Sequence, residues 1–207
     1  MSSEAPLGPL GSAEVSVKLF VEDPDGVRPG ELIPVLHRWI REDLLEGELP
    51  IDVANYEHVP KGPGVVLICD KAHYYFDLRG GRAGLRYRGR REARASGRSS
   101  VSGAFRAVLL AARLLESDAA LGGRYAFETR ELEFGIYDRL RAPSDERTLA
   151  AVRPDLLAAV SALYGTDDVD IGLASAPNEP FMASVRVGTS VSPSVEELLR
   201  SAVAIGS

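Results

Sequence analysis

Cysteine is nearly missing from this chain. Cys69 is the single thiol in 207 residues, so no intramolecular disulfide can form. It sits in the apolar run Val65-Val66-Leu67-Ile68-Cys69 and reads as a small buried hydrophobe. Histidine is scarce as well. His37, His58 and His73 show no i, i+4 spacing, and no paired cysteines accompany them, so the sequence calls for no metal site and no cofactor. Long hydrophobic runs are also lacking: no stretch approaches the roughly 18 apolar residues of a membrane span. No basic segment followed by an apolar one opens the chain. These absences give the expectation of a cytoplasmic protein without membrane insertion. Little lysine beside much Ala, Arg and Gly suits a GC-rich bacterial genome.

Signatures of chemistry are missing too. The glycines of Pro60-Lys61-Gly62-Pro63-Gly64 are not followed by Lys-Ser or Lys-Thr, so they form no phosphate loop. Ser99, Ser100 and Ser102 lack the nucleophile-elbow pattern. No catalytic residue is assigned, and the reading leans away from an enzyme.

What is present is ordinary globular composition, 45% hydrophobic and 26% charged, and an order of elements that occurs twice. Val17, Leu19 and Val21 lead to Asp23, and Leu132, Phe134 and Ile136 lead to Asp138. A helix follows each, then Ile51-Asp52-Val53 or Val169-Asp170-Ile171, then a further apolar strand. Such a half-length period predicts a duplicated β-α-β-β unit folded against itself.

In chain order, residues 1–12 read as a disordered tail and 13–207 as one domain. Its first half runs from about 13 to 120, its second from about 124 to 189, and a last helix covers 193–204. Strict alternation from Ala13 to Glu22 predicts a half-buried strand. Leu32, Ile33, Leu36, Trp39, Ile40 and Leu44 form one helix face, with Pro34 in the first turn. Strands are expected at 49–59, 65–70, 73–78 and 84–90, with Gly80-Gly81 as a hairpin turn. A second helix starts near Ser100 or Ser102 and stops at Gly122-Gly123. A strand at 125–140, bent near Thr129, opens the second half. A third helix capped by Ser144 ends at Gly165, and Pro154 should kink or split it. Strands 169–174 and 181–187 follow, and Ser194 with Glu197 forms a capping box. The pattern predicts an α+β fold, mainly antiparallel sheet with helices packed on one face, built from two β-α-β-β pseudo-repeats.

The strongest local anomaly is Arg79–Arg98. Eight arginines against Glu92 give a formal +7 in a chain of net charge −6, leaving −13 elsewhere. Candidate anion-binding residues are Arg82, Arg86, Tyr87, Arg88, Arg90 and Arg91, with guanidinium forks for phosphate and Tyr87 for stacking. The competing reading is a strand whose arginines are solvated or paired within the molecule. Alternation favours it, since Leu85 and Tyr87 point one way while Arg86 and Arg88 point the other. Overall acidity argues against duplex DNA.

A second candidate pocket gathers Asn55, Tyr56, Glu57 and His58 with Tyr74, Tyr75 and Asp77. Asp23 and Asp138 would form a carboxylate pair if the halves brought them together, although an Asp after a strand more often closes a turn. The segments Leu36–Ile40, Ile51–Tyr56, His58–Val65, Gly81–Tyr87 and Asp138–Pro143 resemble those of a family of uncharacterised bacterial proteins. The resemblance covers most of residues 15–187 and implies no activity or functional residue.

The resulting expectation is a non-enzymatic binding or assembly protein, with a protein partner or self-association favoured over nucleic acid. One alternative is a binder of an anionic ligand or nucleic acid through Arg79–Arg98. Another is an enzyme using the Asn55–Gly64 loop with Asp70 or Asp77.

Overall fold

Eight strands, Val15–Val21 (β1), Pro50–Asn55 (β2), Val65–Cys69 (β3), Ala72–Asp77 (β4), Gly84–Gly89 (β5), Phe127–Ile136 (β6), Val169–Leu173 (β7) and Phe181–Val187 (β8), form one antiparallel sheet. Four helices, Leu32–Glu42 (α1), Val101–Glu116 (α2), Glu146–Tyr164 (α3) and Val195–Ile205 (α4), pack against it. The computed structural model describes residues 14–60, 62–78, 81–90, 101–188, 190 and 192–205. The expected tail at 1–12, the turn residues Lys61 and Gly80, the cap Ser100 and the arginines Arg79, Arg91, Arg94 and Arg98 lie outside the described residues.

The α+β expectation holds, with helices on one face. Strand order is β2-β3-β4-β5-β1-β6-β8-β7. Outward from the central β1–β6 pair, one side runs β5, β4, β3, β2 and the other runs β8, β7. Both sides share a connectivity of strand, helix, strand, strand, with the last strand lying inside the one before it. On the first side the β4–β5 hairpin is interposed.

Alternate residues of each strand feed the helix-covered face: Val17 and Leu19, Tyr74 and Phe76, Leu85 and Tyr87, Leu132 and Phe134, Ala183 and Val185 are all buried there. Trp39 from α1, Phe105 and Leu109 from α2, Val152 and Leu156 from α3 and Leu198 from α4 complete one continuous core. Phe76 meets Tyr125 edge-on, and Tyr74 meets Tyr87 likewise. Cys69 lies in this core, and burial, with Glu48 and Asp70 adding to it, pushes its thiol up to about 12.

Local signals explain the helix ends. Asp43 at φ 51° closes α1, and Gly165 at φ 69° closes α3 while its N–H donates to the Ser161 carbonyl at 2.8 Å. The Ser194–Glu197 box opens α4, with the Ser194 N–H and hydroxyl both on Glu197 Oε2 at 2.8 Å. Three expectations need correction. The cap of α3 is Asp145, which accepts the Thr148 N–H at 2.7 Å, while Ser144 instead contacts the Ser175 hydroxyl at 2.6 Å. Pro154 does not split α3, which runs unbroken over 19 residues. β1 is not half-buried: Ser16 and Lys18 are as inaccessible as Val17 and Leu19, and Phe20 is buried too. The bend expected near Thr129 corresponds to a register shift, where pairing passes from Leu19–Leu132 to Val21–Phe127.

Candidate functional site

The buried polar half of β1 leads to the helix-free face of the sheet. One row across that face reads Tyr75 on β4, Arg86 on β5, Lys18 on β1, Glu133 on β6, Ser184 on β8 and Gly172 on β7. Antiparallel pairing thus sets two cations side by side, an arrangement that is destabilising when like charges stand opposite. Asp77, at the end of β4, resolves it. Its Oδ2 lies 3.0 Å from Arg86 Nε and 3.6 Å from Lys18 Nζ. On the other side Arg86 Nη2 donates to Glu133 Oε1 at 2.6 Å, and Nη1 reaches Ser16 Oγ at 3.4 Å. Two cations and two carboxylates therefore cancel in a cluster where Lys18 is 1% exposed, Asp77 2% and Arg86 6%.

Small residues make the cluster possible. A Cβ on Gly84 would collide with the Leu19 carbonyl and stand 2.9 Å from Lys18 Cε, so the lysine stem lies in space that a side chain would fill. Lys18 Nζ then donates to the Arg82 carbonyl at 2.7 Å. Burial pushes the Lys18 ammonium down to about 8; Asp77 pulls the other way, and Arg86 adds to the fall. Burial also opposes the charge on Arg86, but Tyr137, Glu133 and Asp77 outweigh it and hold the guanidinium protonated.

Beside this cluster lies a groove of about 570 Å³, a volume typical of ligand sites. At one end Arg82 donates to both oxygens of Glu131 at 2.7 and 3.3 Å, and Arg186 approaches the same carboxylate at 3.5 Å. Burial opposes ionisation of Glu131, but the Arg82 hydrogen bonds prevail and hold its carboxyl below the usual range. The Arg82 guanidinium also stacks 3.6 Å from the Phe20 ring centre. Met182 adjoins the cluster, its sulfur 3.9 Å from Arg86 Nη1, and at the other end stand Tyr137 and the β7–β8 connection with Ser175 and Glu179. Arg88 sits 3.9 Å above the Tyr137 ring and donates to Glu14 at 2.6 Å.

The sequence-derived candidates divide. Arg82, Arg86 and Arg88 share the helix-free face, and each is paired to a carboxylate within the molecule. Arg90 approaches the Asp70 carbonyl at 3.4 Å. Tyr87 is misassigned. It points to the helices and is fully buried against Tyr74, so it offers no stacking platform beside the arginines. The second candidate pocket is not assembled either. Tyr74 lies under the helices and Asp77 in the charged cluster, while Tyr75 stands on the helix-free face. Asn55 ends the edge strand β2 and Tyr56, Glu57 and His58 follow it, all four exposed, with Asn55 and Glu57 bonded to each other. Asp70 accepts the Leu49 N–H at 2.9 Å. Asp23 accepts the Asp25 and Gly26 N–H groups at 3.1 Å, and Asp138 accepts that of Arg141 at 3.3 Å. Because β1 and β6 are antiparallel, these two aspartates close turns at opposite ends of the sheet and form no pair.

Sequence reasoning missed Lys18, Glu131, Glu133, Met182, Ser184 and Arg186. A usable signal was present: β1 and β6 carry their charges at the polar positions of an alternating pattern, Lys18 in one and Glu131 and Glu133 in the other. Among the described residues no group of three or more His, Cys, Asp and Glu is placed to hold a metal, and no helix is long and apolar enough to cross a membrane. No protein-family model matches the chain, and no curated protein matches it.

Proposed function

We propose that this chain is a non-enzymatic binding protein whose site is the groove on the helix-free face of the sheet. One observation carries the reading. Ionised side chains are held by ion pairs under and around a concave space of ligand size, in cross-strand register, and charge order of this kind fixes the orientation of a bound molecule. The reading does not require turnover. Lys18, the one amine at the floor, is committed to the Arg82 carbonyl and the Asp77 carboxylate. A protein or peptide partner suits the groove better than nucleic acid. Arg82 and Arg86 already hold Glu131 and Glu133, so a polyanion would have to displace carboxylates that line the same space.

The test is a titration of isotopically labelled protein with separate mixtures of short peptides, nucleotides and heparin fragments, followed by amide chemical shifts. Binding at the groove moves the amides of Glu131–Ile136 and Met182–Arg186, and Ser184→Trp, which fills the space, abolishes the shifts. Shifts confined to the helices, or unchanged by Ser184→Trp, would refute the assignment. Salt-sensitive heparin binding that survives Ser184→Trp would favour the arginine segment instead.

A further inference from the structure

Taking the groove as the binding site, we infer that its ligand is an extended oligopeptide, acidic toward one end and basic toward the other, lying along β6 and β8. The argument starts from shape. The lining follows β6 from Glu131 to Tyr137 and β8 from Arg186 back to Pro180. At about 3.3 Å per residue that is a span of roughly 20 Å. A space of about 570 Å³ drawn out over this length is narrow, and suits a single extended chain better than a compact ring system.

Charge then sets polarity. At the first end Arg82 and Arg186 converge on one carboxylate, Glu131, a net positive charge among the lining residues, with Asp170 across from Arg186 on β7 but outside the lining. In the middle Lys18, Arg86, Asp77 and Glu133 cancel. At the far end Glu179 lines the groove as an acid, its carboxylate oriented by the Ala176 N–H at 3.1 Å, while the nearby Arg88 is neutralised by Glu14. The groove therefore runs from positive through neutral to negative, and the complementary ligand runs from acid to base. The centre offers Ser184 and the Met182 thioether, a small hydroxyl and an adaptable apolar surface that accept varied side chains.

The experiment uses four labelled peptides with the same Ala-Ser centre: acid at one end and base at the other, acid at both ends, base at both ends, and uncharged. Fluorescence anisotropy at low ionic strength should rank the polarised peptide tightest, by on the order of tenfold over the other three. Glu179→Lys should transfer the preference to the peptide acidic at both ends, and Arg186→Glu to the one basic at both ends. Both residues are exposed, so these variants keep the fold. Equal affinity for all four peptides, or preferences that ignore both substitutions, overturns the inference. If no peptide binds while another compound class moves the β6 and β8 amides, the ligand class is wrong and the groove stands. If nothing moves them, both readings fall.

Discussion

Along β1, Val17 and Leu19 meet the helices, while Ser16, Lys18 and Phe20 meet side chains of neighbouring strands; both sets are buried. The helix side is closed by hydrocarbon from four helices. The other side is closed by charge: Arg86, Arg82 and Glu133 reach across the strands to cover Lys18 and Phe20. Burial of an apolar side chain is favourable by itself, whereas burial of an ion is tolerable only with its partners in place. The first face should therefore respond to lost volume and the second to lost partners.

The sharpest way to break that contrast is Asp77→Ala set beside Phe134→Ala. Removing the carboxylate shared by Lys18 and Arg86 leaves adjacent buried cations and should cost about 3–5 kcal/mol. Removing the ring from the helix-side core should cost a similar ~3–5 kcal/mol. Their pH dependences differ. The Asp77→Ala loss shrinks in alkali as Lys18 sheds its proton, and the Phe134→Ala loss does not. Urea unfolding at several pH values measures both. A loss under about 1 kcal/mol for Asp77→Ala would show the cluster to be as solvated as a surface pair.

Lys18→Met isolates the lysine. Its folded pKa of about 8 lies below the unfolded value near 10.5, so between these limits the folded chain binds fewer protons. Stability from this group therefore rises as pH increases from about 8 to 10.5, by up to a few kcal/mol. The methionine variant should lack that slope. At neutral pH it leaves Arg86 alone against Asp77 and Glu133 but also relieves the burial of an ammonium, so its loss should stay below the ~3–5 kcal/mol of an ordinary lost partner. A large loss at pH 7 would mean that the ammonium is a net stabiliser of the cluster.

The same contrast explains what could be read in advance. Alternation and turn residues located each strand to within a few residues, because Val17, Leu19, Leu132 and Phe134 report the helix-side core directly. Helix ends at Gly165 and Ser194 were legible because capping is local chemistry. The groove was not, since it depends on which strands become neighbours. Lys18 and Glu133 are distant in sequence and meet only because β1 and β6 pair at the centre. Arg86 and Arg88 were rightly separated from Leu85 by alternation, yet Tyr87 was grouped with them for its chemistry despite pointing the other way. Asp77 was placed with an exposed loop because nothing local distinguishes a carboxylate in a buried ion cluster from one on a turn. Pro154 pointed to a kink or a split, and α3 stays unsplit with Val152 and Leu156 buried on either side of it.

Gly84→Ala probes how tightly the two faces are coupled. The new methyl would meet the Leu19 carbonyl and the Lys18 stem, forcing a shift of β5 against β1. A loss of ~1–3 kcal/mol is expected by thermal or urea unfolding. A neutral result would show that the lysine stem has room to move.

At the rim the expectation reverses. Arg186 is largely exposed, and its approach to Glu131 at 3.5 Å duplicates a carboxylate already gripped by Arg82. Arg186→Ala should therefore alter stability by no more than about 0.5 kcal/mol. The same substitution removes one of the two cations that make this end of the groove positive, so affinity for an acid-bearing ligand should fall severalfold while the unfolding curve stays in place. Measured together, the two quantities separate floor from rim, because Asp77→Ala moves the unfolding curve and Arg186→Ala moves only the binding. If Arg186→Ala destabilised the fold as much as Gly84→Ala, the rim arginine would belong to the structural cluster, and the division between a charged floor and a recognising edge would be lost.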